Sequence, residues 1–186
     1  MIIIAYFFLL RPGDNTGFKL YSTTFQLEDI SFICGRSVFG ETATEAELQA
    51  AIFMALNFST QKNGVRGKNI GHKASWDPLL CKNSSLLRRV LHFRANKATS
   101  SNPLARVMTL TWWWEYITPK MISNNLKFTI IFCGPNLGFE SKDVSACSLC
   151  TAGTMALLCA RVDRDIINLI DRWRSNKILH CLHVQE

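Results

Sequence analysis

The stretch Asp143-Val-Ser-Ala-Cys-Ser-Leu-Cys150 opens the C-terminal region around which the rest of the chain is organised. Thr154-Met-Ala-Leu-Leu158 follows it, and then a long segment from Asp165 to Gln185. Apolar residues recur through this region at helical spacing. Residues that favour helix N-termini interrupt the pattern: Ser145, Asp163 and Ser175. The region therefore predicts a helix reaching Ala160, a second helix and a final helical turn.

Composition indicates one folded domain. The chain has 186 residues, 48% of them hydrophobic and only 19% charged, which is enough for a core and argues against disorder. The net charge of +7 suits a polyanionic partner such as nucleic acid. The alternative is a mildly basic surface that binds no ligand.

The N-terminal segment and the cysteines indicate the cellular compartment in which the protein is expected to fold. Met1–Leu10 is apolar, but it is too short to span a bilayer and lacks the basic start and cleavage site of a signal peptide. We therefore expect a buried helix or strand, no membrane partner, and a chain that continues a longer protein. The seven cysteines are an odd number scattered along the chain, and without a secretory context we expect reduced intracellular thiols rather than a disulfide framework.

Strand-like patterns concentrate before residue 70. Alternating or β-branched residues predict strands at Phe18–Leu20, Phe25–Leu27 and Ile30–Ile33. Asn63–Gly64 is the strongest hairpin signal. It would place Lys62 beside a tight turn, with two basic residues on the returning strand: Arg66 and Lys68. A basic hairpin tip can reach a DNA phosphate, and a solvated turn is the alternative.

Helix signals dominate the rest of the chain. Glu41–Ala51 predicts a short helix, Asp77–Pro78 is typical of the start of another, and Thr118–Pro119 of a third that stops at Gly134–Pro135. Trp112–Trp114 either fills the core or its rim or stacks on bases. The sequence thus predicts an α+β fold, mainly helical with a small antiparallel β-sheet.

The cysteine spacing permits a metal site. Cys147 and Cys150 have the spacing of half a zinc site, and His180, Cys181 and His183 could supply the other half. Against zinc, the first pair lies one turn apart on a predicted helix rather than on a knuckle. Small apolar cysteines without a ligand are the alternative.

The C-terminal motifs resemble those of the tyrosine recombinase (phage integrase) family, in the form found in eukaryotic mobile elements. The similarity lies in Asp143-Val-Ser-Ala-Cys-Ser-Leu-Cys-Thr-Ala-Gly-Thr-Met-Ala-Leu-Leu-Cys159, in Leu169-Ile-Asp-Arg-Trp-Arg-Ser175 and in Cys181-Leu-His-Val-Gln185. Upstream it includes Phe7-Phe-Leu-Leu-Arg-Pro-Gly-Asp14 and Thr60-Gln-Lys-Asn-Gly-Val-Arg-Gly67. It therefore covers almost the whole chain, residues 1–186, as a single catalytic-type domain without the family's N-terminal core-binding domain.

The resemblance implies a phosphate pocket. In this family a tyrosine attacks a DNA phosphate, two arginines brace its oxygens, and a hairpin lysine protonates the leaving hydroxyl. By position, Arg11 is the first clamp arginine, Asp14 orients it, and Lys62 is the general acid. Arg172, with Trp173 beside it, occupies the position of the family's His or Trp.

Three cysteines depart from the family pattern. Cys150 replaces the second clamp arginine, Cys181 replaces the nucleophile, and Cys147 replaces a residue that is usually basic. A thiol cannot donate a bidentate pair to a phosphate, so we expect no strand cleavage. These changes, together with His180 and Asp171, suggest a degenerate copy of a mobile element.

The partners follow from the resemblance. We expect binding to double-stranded DNA, self-association on DNA, no cofactor, and a nuclear location in a eukaryotic cell. The positions implied in DNA contact are Arg66, Lys68, Cys147, Arg174 and His183. The lineage function is DNA recombination and integration. The alternatives are a zinc- or protein-binding module that uses the cysteines and a fragment that does not fold stably.

Overall fold

The computed structural model describes residues 1–12, 24–58, 67–75, 77, 79–138 and 140–171. Within these ranges the chain forms six α-helices and six β-strands. The helices are α1 (Ile2–Phe7), α2 (Glu45–Ala50), α3 (Lys82–Ala95), α4 (Pro119–Cys133), α5 (Ser148–Cys159) and α6 (Arg164–Asp171). The strands are β1 (Ile30–Cys34), β2 (Ser37–Phe39), β3 (Phe53–Phe58), β4 (Lys68–Lys73), β5 (Arg106–Met108) and β6 (Trp114–Tyr116).

The larger sheet is antiparallel throughout. Its strand order is β2-β1-β3-β4, so each strand pairs with a neighbour close to it in sequence. The register of β3 and β4 runs from Phe53 opposite Lys73 to Phe58 opposite Lys68. The predicted hairpin is therefore confirmed in its two strands, while its Asn63–Gly64 tip lies outside the described residues.

The core forms where α1 and α3 cover this sheet. The apolar N-terminal run was predicted to be a buried helix or a buried strand, and it is a helix. Its Ile4 and Ala5, and Phe8 just after it, are almost completely buried. From α3, the apolar stripe buries Leu86, Val90 and Phe93 at helical spacing. Sheet side chains meet them from the other side: Phe32, Met54, Leu56 and Phe58.

Two helix starts agree with the sequence. The Thr118 hydroxyl accepts the N–H of Met121 at 3.2 Å, Pro119 occupies the first turn, and α4 ends at Cys133 before Gly134. The carboxylate of Asp163 accepts the N–H of Asp165 at 2.7 Å at the start of α6. Thr44 caps α2, whose range is shorter than the predicted Glu41–Ala51.

Two other helix starts were predicted too early. The Asp77 carboxylate accepts the N–H groups of Leu79 and Leu80, both at 2.8 Å, but these bonds close a turn and α3 begins only at Lys82. Likewise, the Ser145 side chain accepts the N–H of Cys147 at 3.3 Å, whereas α5 begins at Ser148. An N-cap side chain satisfies a tight turn as readily as a helix.

The predicted strand at Phe25–Leu27 is wrong. Gln26 makes an isolated bridge to Pro103, and Leu27–Asp29 is a 3₁₀ turn whose Asp29 carboxylate accepts the Gln26 N–H at 2.8 Å. That local hydrogen bond competes with strand pairing. Ile30–Cys34 is a strand, as expected, and Phe18–Leu20 lies outside the described residues.

The tryptophan run divides between core and solvent. Trp114 in β6 stacks on Phe93 with ring centroids 5.2 Å apart. Trp112 and Trp113 lie in the β5–β6 turn and are 79% and 75% exposed, so the expectation that the run fills the core or its rim is wrong for these two. Trp112 has φ +60, which places its side chain on a turn position rather than in a regular strand.

The observed class is a mixed α+β fold with small antiparallel sheets, as the sequence predicts at that level. None of the described helices has the length and apolarity that crossing a membrane requires.

Candidate functional site

Arg11 follows a sharp helix end. The Leu10 N–H donates to the Ala5 carbonyl at 2.9 Å, and the Leu9 N–H donates to the Tyr6 carbonyl at 3.4 Å. This is the Schellman arrangement, in which a left-handed residue closes a helix. Here that residue is Leu9, with φ 49 and 1% exposure, where glycine is usual. The strained backbone is held by burial, and it fixes the direction in which the chain leaves toward the half-buried Arg11.

α5 packs against this helix end. Gly153 of α5 is buried, and a Cβ at that position would collide with the Tyr6 carbonyl oxygen and with Cδ2 of Leu9. Cys150 lies one helical turn before Gly153, and Arg11 lies two residues after Leu9. The α1–α5 contact therefore joins the two segments that carry the first and second predicted clamp positions.

The start of α5 is tied to α4. The Ala146 N–H donates to the Ser123 hydroxyl at 2.9 Å, and Ala146 and Leu149 are buried in the core. Cys147 occupies the N-cap position of α5 and is exposed, whereas Cys150 is half-buried. Within α5, the Thr154 hydroxyl donates to the Cys150 carbonyl at 3.0 Å. The two cysteines are thus held on a fixed helix, with Cys147 facing solvent.

A cavity of about 220 Å³ adjoins the α1–α5 contact. Two basic residues that the sequence analysis did not single out line it: His72 of β4 and Lys82 at the start of α3. Burial, and then the charge of Lys82, lower the pKa of His72 to about 4, against a smaller opposite effect of a hydrogen bond to the Phe7 backbone. His72 is therefore neutral at neutral pH. No local motif marks these residues, because tertiary packing alone brings them here.

Lys82 is the cation of that cavity. Burial lowers its pKa, with a smaller opposite effect from Cys81, and its Nζ lies 4.7 Å from the centre of the Phe7 ring. Phe8 meets the His72 ring edge to face, with centroids 4.7 Å apart. The cavity thus combines one cation with one neutral imidazole among apolar groups, and it lies against the helix whose end leads to Arg11.

The hairpin presents one of the predicted DNA-contact residues. Lys68 is the first residue of β4 and is exposed, opposite Phe58 on β3. The Gly67 N–H donates to the Phe58 carbonyl at 3.0 Å, which holds the two strands together at this point. The two paired strands therefore hold Lys68 in place at this end of the hairpin.

The other predicted positions lie outside the described residues: Asp14, Lys62, Arg66, Arg172, Trp173, Arg174, His180, Cys181 and His183. Their roles stay predictions. The same holds for the zinc alternative, since its second half belongs to this group. Among the residues that the structure does describe, no group of three or more His, Cys, Asp or Glu side chains could hold a metal ion.

Comparisons with protein families, with curated proteins and with solved structures found no match for this chain.

Proposed function

We propose that this chain is a DNA-binding protein with a tyrosine-recombinase-like catalytic fold that has lost strand cleavage. Its lineage function would be DNA recombination and integration by a mobile element. One observation supports the proposal beyond the sequence resemblance: α5 packs on the end of α1 at Gly153, so the segments with Arg11 and Cys150 meet in the tertiary structure. A clamp requires two such segments to face one phosphate.

The substituted residues account for the proposed loss of cleavage. An arginine at position 150 would donate two hydrogen bonds to phosphate oxygens, and a cysteine there donates none of comparable strength. Removing one such electrostatic donor typically costs about 3 kcal/mol of transition-state stabilisation, on the order of 100-fold in rate. Cys181 in place of the phenol removes the family's nucleophile. Binding depends on other groups and would survive these changes.

Phosphate attraction would come from the hairpin and from the basic surface. Lys68 is exposed at the start of β4, and Lys62 and Arg66 lie near the predicted hairpin tip in the sequence. Electrostatic binding of this kind is largely independent of base sequence and weakens steeply with salt. In a eukaryotic cell the protein would act in the nucleus. Self-association would consist of two copies bound to the same DNA molecule.

The experiment is a salt titration of DNA binding by fluorescence anisotropy, with a labelled duplex. We expect binding that falls linearly on a log–log plot of affinity against salt. Lys68→Ala should reduce the slope by about 1, because each phosphate contact contributes about 0.9 to it. The matched control is Lys127→Ala, which removes an exposed lysine from α4.

Three outcomes would reject the proposal. No binding at low salt would remove the DNA partner. Equal effects of Lys68→Ala and Lys127→Ala would leave the hairpin without a role. Stoichiometric zinc in the purified protein, lost on Cys147→Ser with Cys150→Ser, would favour the metal-binding alternative instead.

A further inference from the structure

A second cavity, of about 370 Å³, is lined by a different set of residues from the His72 cavity, and one of them is a thiol, Cys81. Its walls come from α2, from the residues after β4 and from the first turn of α3. The residues that matter for its chemistry are Lys73, Ser75, Asp77, Cys81, Asn83 and Ser84. None of them belongs to the proposed DNA site.

Cys81 occupies the N-cap position of α3, which is 14 residues long. Cys81 is 4% exposed and lines the cavity, so the cavity is the route by which a small molecule would reach the thiol. The free N–H groups and the dipole at a helix N-terminus favour a negative charge. The backbone carbonyl of Cys81 accepts the Ser85 N–H at 3.0 Å, as the first hydrogen bond of the helix.

Hydrogen-bond donors surround the sulfur. Burial raises the pKa of Cys81, but the N–H and hydroxyl of Ser84 and then those of Ser75 outweigh it and hold that pKa at about 7. The Ser75 hydroxyl makes no formed hydrogen bond within the described structure, so it is available to turn toward a thiolate, and Ser84 is the firmer donor. An ordinary thiol has a pKa of about 8.5.

Asn83 gives an independent indication of a ligand. It is 7% exposed and its Nδ2 donates to the Ala51 carbonyl at 3.2 Å, but its Oδ1 has no partner in the described structure. Buried amide oxygens are rarely left without a donor. Because Asn83 lines the same cavity as Cys81, a small guest with an O–H group would satisfy it.

We infer that Cys81 is a peroxide-sensitive thiol, with the cavity as the binding site for hydrogen peroxide or another small hydroperoxide. The Asn83 Oδ1 accepts a hydrogen bond from the peroxide, while Ser84 holds the thiolate. The sulfur attacks the terminal peroxide oxygen, an S–O bond forms as the O–O bond breaks, and the departing hydroxide (or alkoxide, from an organic hydroperoxide) takes up a proton from solvent to give water (or an alcohol). Sulfur is oxidised to a sulfenic acid and the peroxide is reduced.

Charged groups also lie around the cavity, although burial and the hydrogen bonds from Ser84 and Ser75 are what set the pKa of Cys81. Lys82 follows Cys81 on α3, Lys73 reaches the cavity from the end of β4, and Asp77 reaches it from the turn before α3. The two lysines favour the thiolate and the aspartate opposes it. Burial lowers the pKa of Lys82, and its electrostatic interaction with Cys81 offsets part of that lowering.

The test is site-resolved labelling of the native full chain. Iodoacetamide alkylation of each cysteine is followed by mass spectrometry between pH 5.5 and 9, and peroxide treatment with dimedone trapping reports sulfenic acid. We expect Cys81 to be alkylated in the folded protein with a midpoint near pH 7, and to be trapped by dimedone. The exposed Cys133 serves as the internal reference for reagent access.

Variants separate chemistry from folding. Ser84→Ala should move the Cys81 midpoint upward, whereas Cys133→Ser should leave it unchanged. Far-ultraviolet circular dichroism verifies that both variants fold. Alkylation of Cys81 only after denaturation, a native midpoint near pH 8.5, or no dimedone adduct at Cys81 would each overturn the inference, since a buried structural cysteine behaves in these ways.

Discussion

At the scale of single residues, Gly153 sets how closely α5 approaches α1. The Tyr6 carbonyl and the Leu9 side chain occupy the space that any larger residue would need. Leu9 cannot easily yield, because it is 1% exposed and its left-handed backbone closes the helix. The clamp geometry that we propose therefore depends on a residue with no side chain.

We expect Gly153→Ala to destabilise the protein by about 1–3 kcal/mol, the usual cost of overpacking a close contact. Gly40→Ala is the matched control, since a Cβ at Gly40 meets no atom within 4 Å. Urea unfolding monitored by circular dichroism measures both. A loss no larger for Gly153→Ala than for Gly40→Ala would contradict the packing described here.

His72 predicts a pH dependence of stability. Its folded pKa of about 4 lies below the unfolded value of about 6.5, so its contribution is fully present above pH 6.5 and is lost as pH falls toward 4. Between pH 6.5 and 5 the free energy of unfolding should fall by about 1.5 kcal/mol from this residue. In His72→Gln that decrease should disappear. Equal slopes for both proteins in urea titrations would show that His72 does not titrate as described.

At the scale of elements, the helix caps show what local sequence can determine. Thr118–Pro119 predicts α4 correctly, because its hydroxyl and its proline act on the helix's own first turn. Asp77 makes equally good bonds but closes only a turn: Leu79 and Leu80, which follow it, are exposed and no helical face is buried there. A capping side chain favours a helix start but does not suffice without packing, and α3 itself begins at Lys82 without a side-chain cap.

Thr118→Ala should therefore cost about 1 kcal/mol of stability, the typical value of an N-cap side chain. Thr129, on the exposed surface of the same helix, provides the comparison: its hydroxyl donates only to the Asn125 carbonyl of the preceding turn. Thr129→Ala should change stability by less than about 0.5 kcal/mol. Thermal unfolding of both variants measures the difference, and equal losses would argue against the cap.

The two cavities could not have been predicted from the sequence. His72 and Lys82 meet beside α1, and Cys81, Asn83 and Ser75 meet at the start of α3, because the sheet and α3 bring distant segments together. No spacing rule connects them. The hairpin, by contrast, follows from the Asn-Gly signal, which acts over a few residues.

At the scale of the whole molecule, the net charge of +7 overstates the charge available to a polyanion. Arg89 donates to the Leu104 carbonyl at 2.8 Å, and Arg94 holds the Glu41 carbonyl. Arg106 lies over the Trp114 and Tyr116 rings. These arginines hold the fold together, so the proposed DNA binding would rest on exposed basic residues such as Lys68. The sequence composition alone could not make this distinction.

Trp112 and Trp113 form a second notable feature of the molecular surface, besides its exposed basic residues. Two tryptophans are exposed to solvent in the turn between β5 and β6. Exposed tryptophan rings can stack on nucleic-acid bases, which was one of the two predictions for this run. They add a second surface to consider beside the hairpin in any DNA complex.

The central claim, binding without cleavage, is tested by one suicide-substrate assay. A nicked DNA duplex that traps covalent intermediates is incubated with the protein and divided between a native and a denaturing gel. We predict a complex on the native gel and no covalent adduct on the denaturing gel. An adduct through Cys181, or no complex with DNA at low salt, would contradict the account.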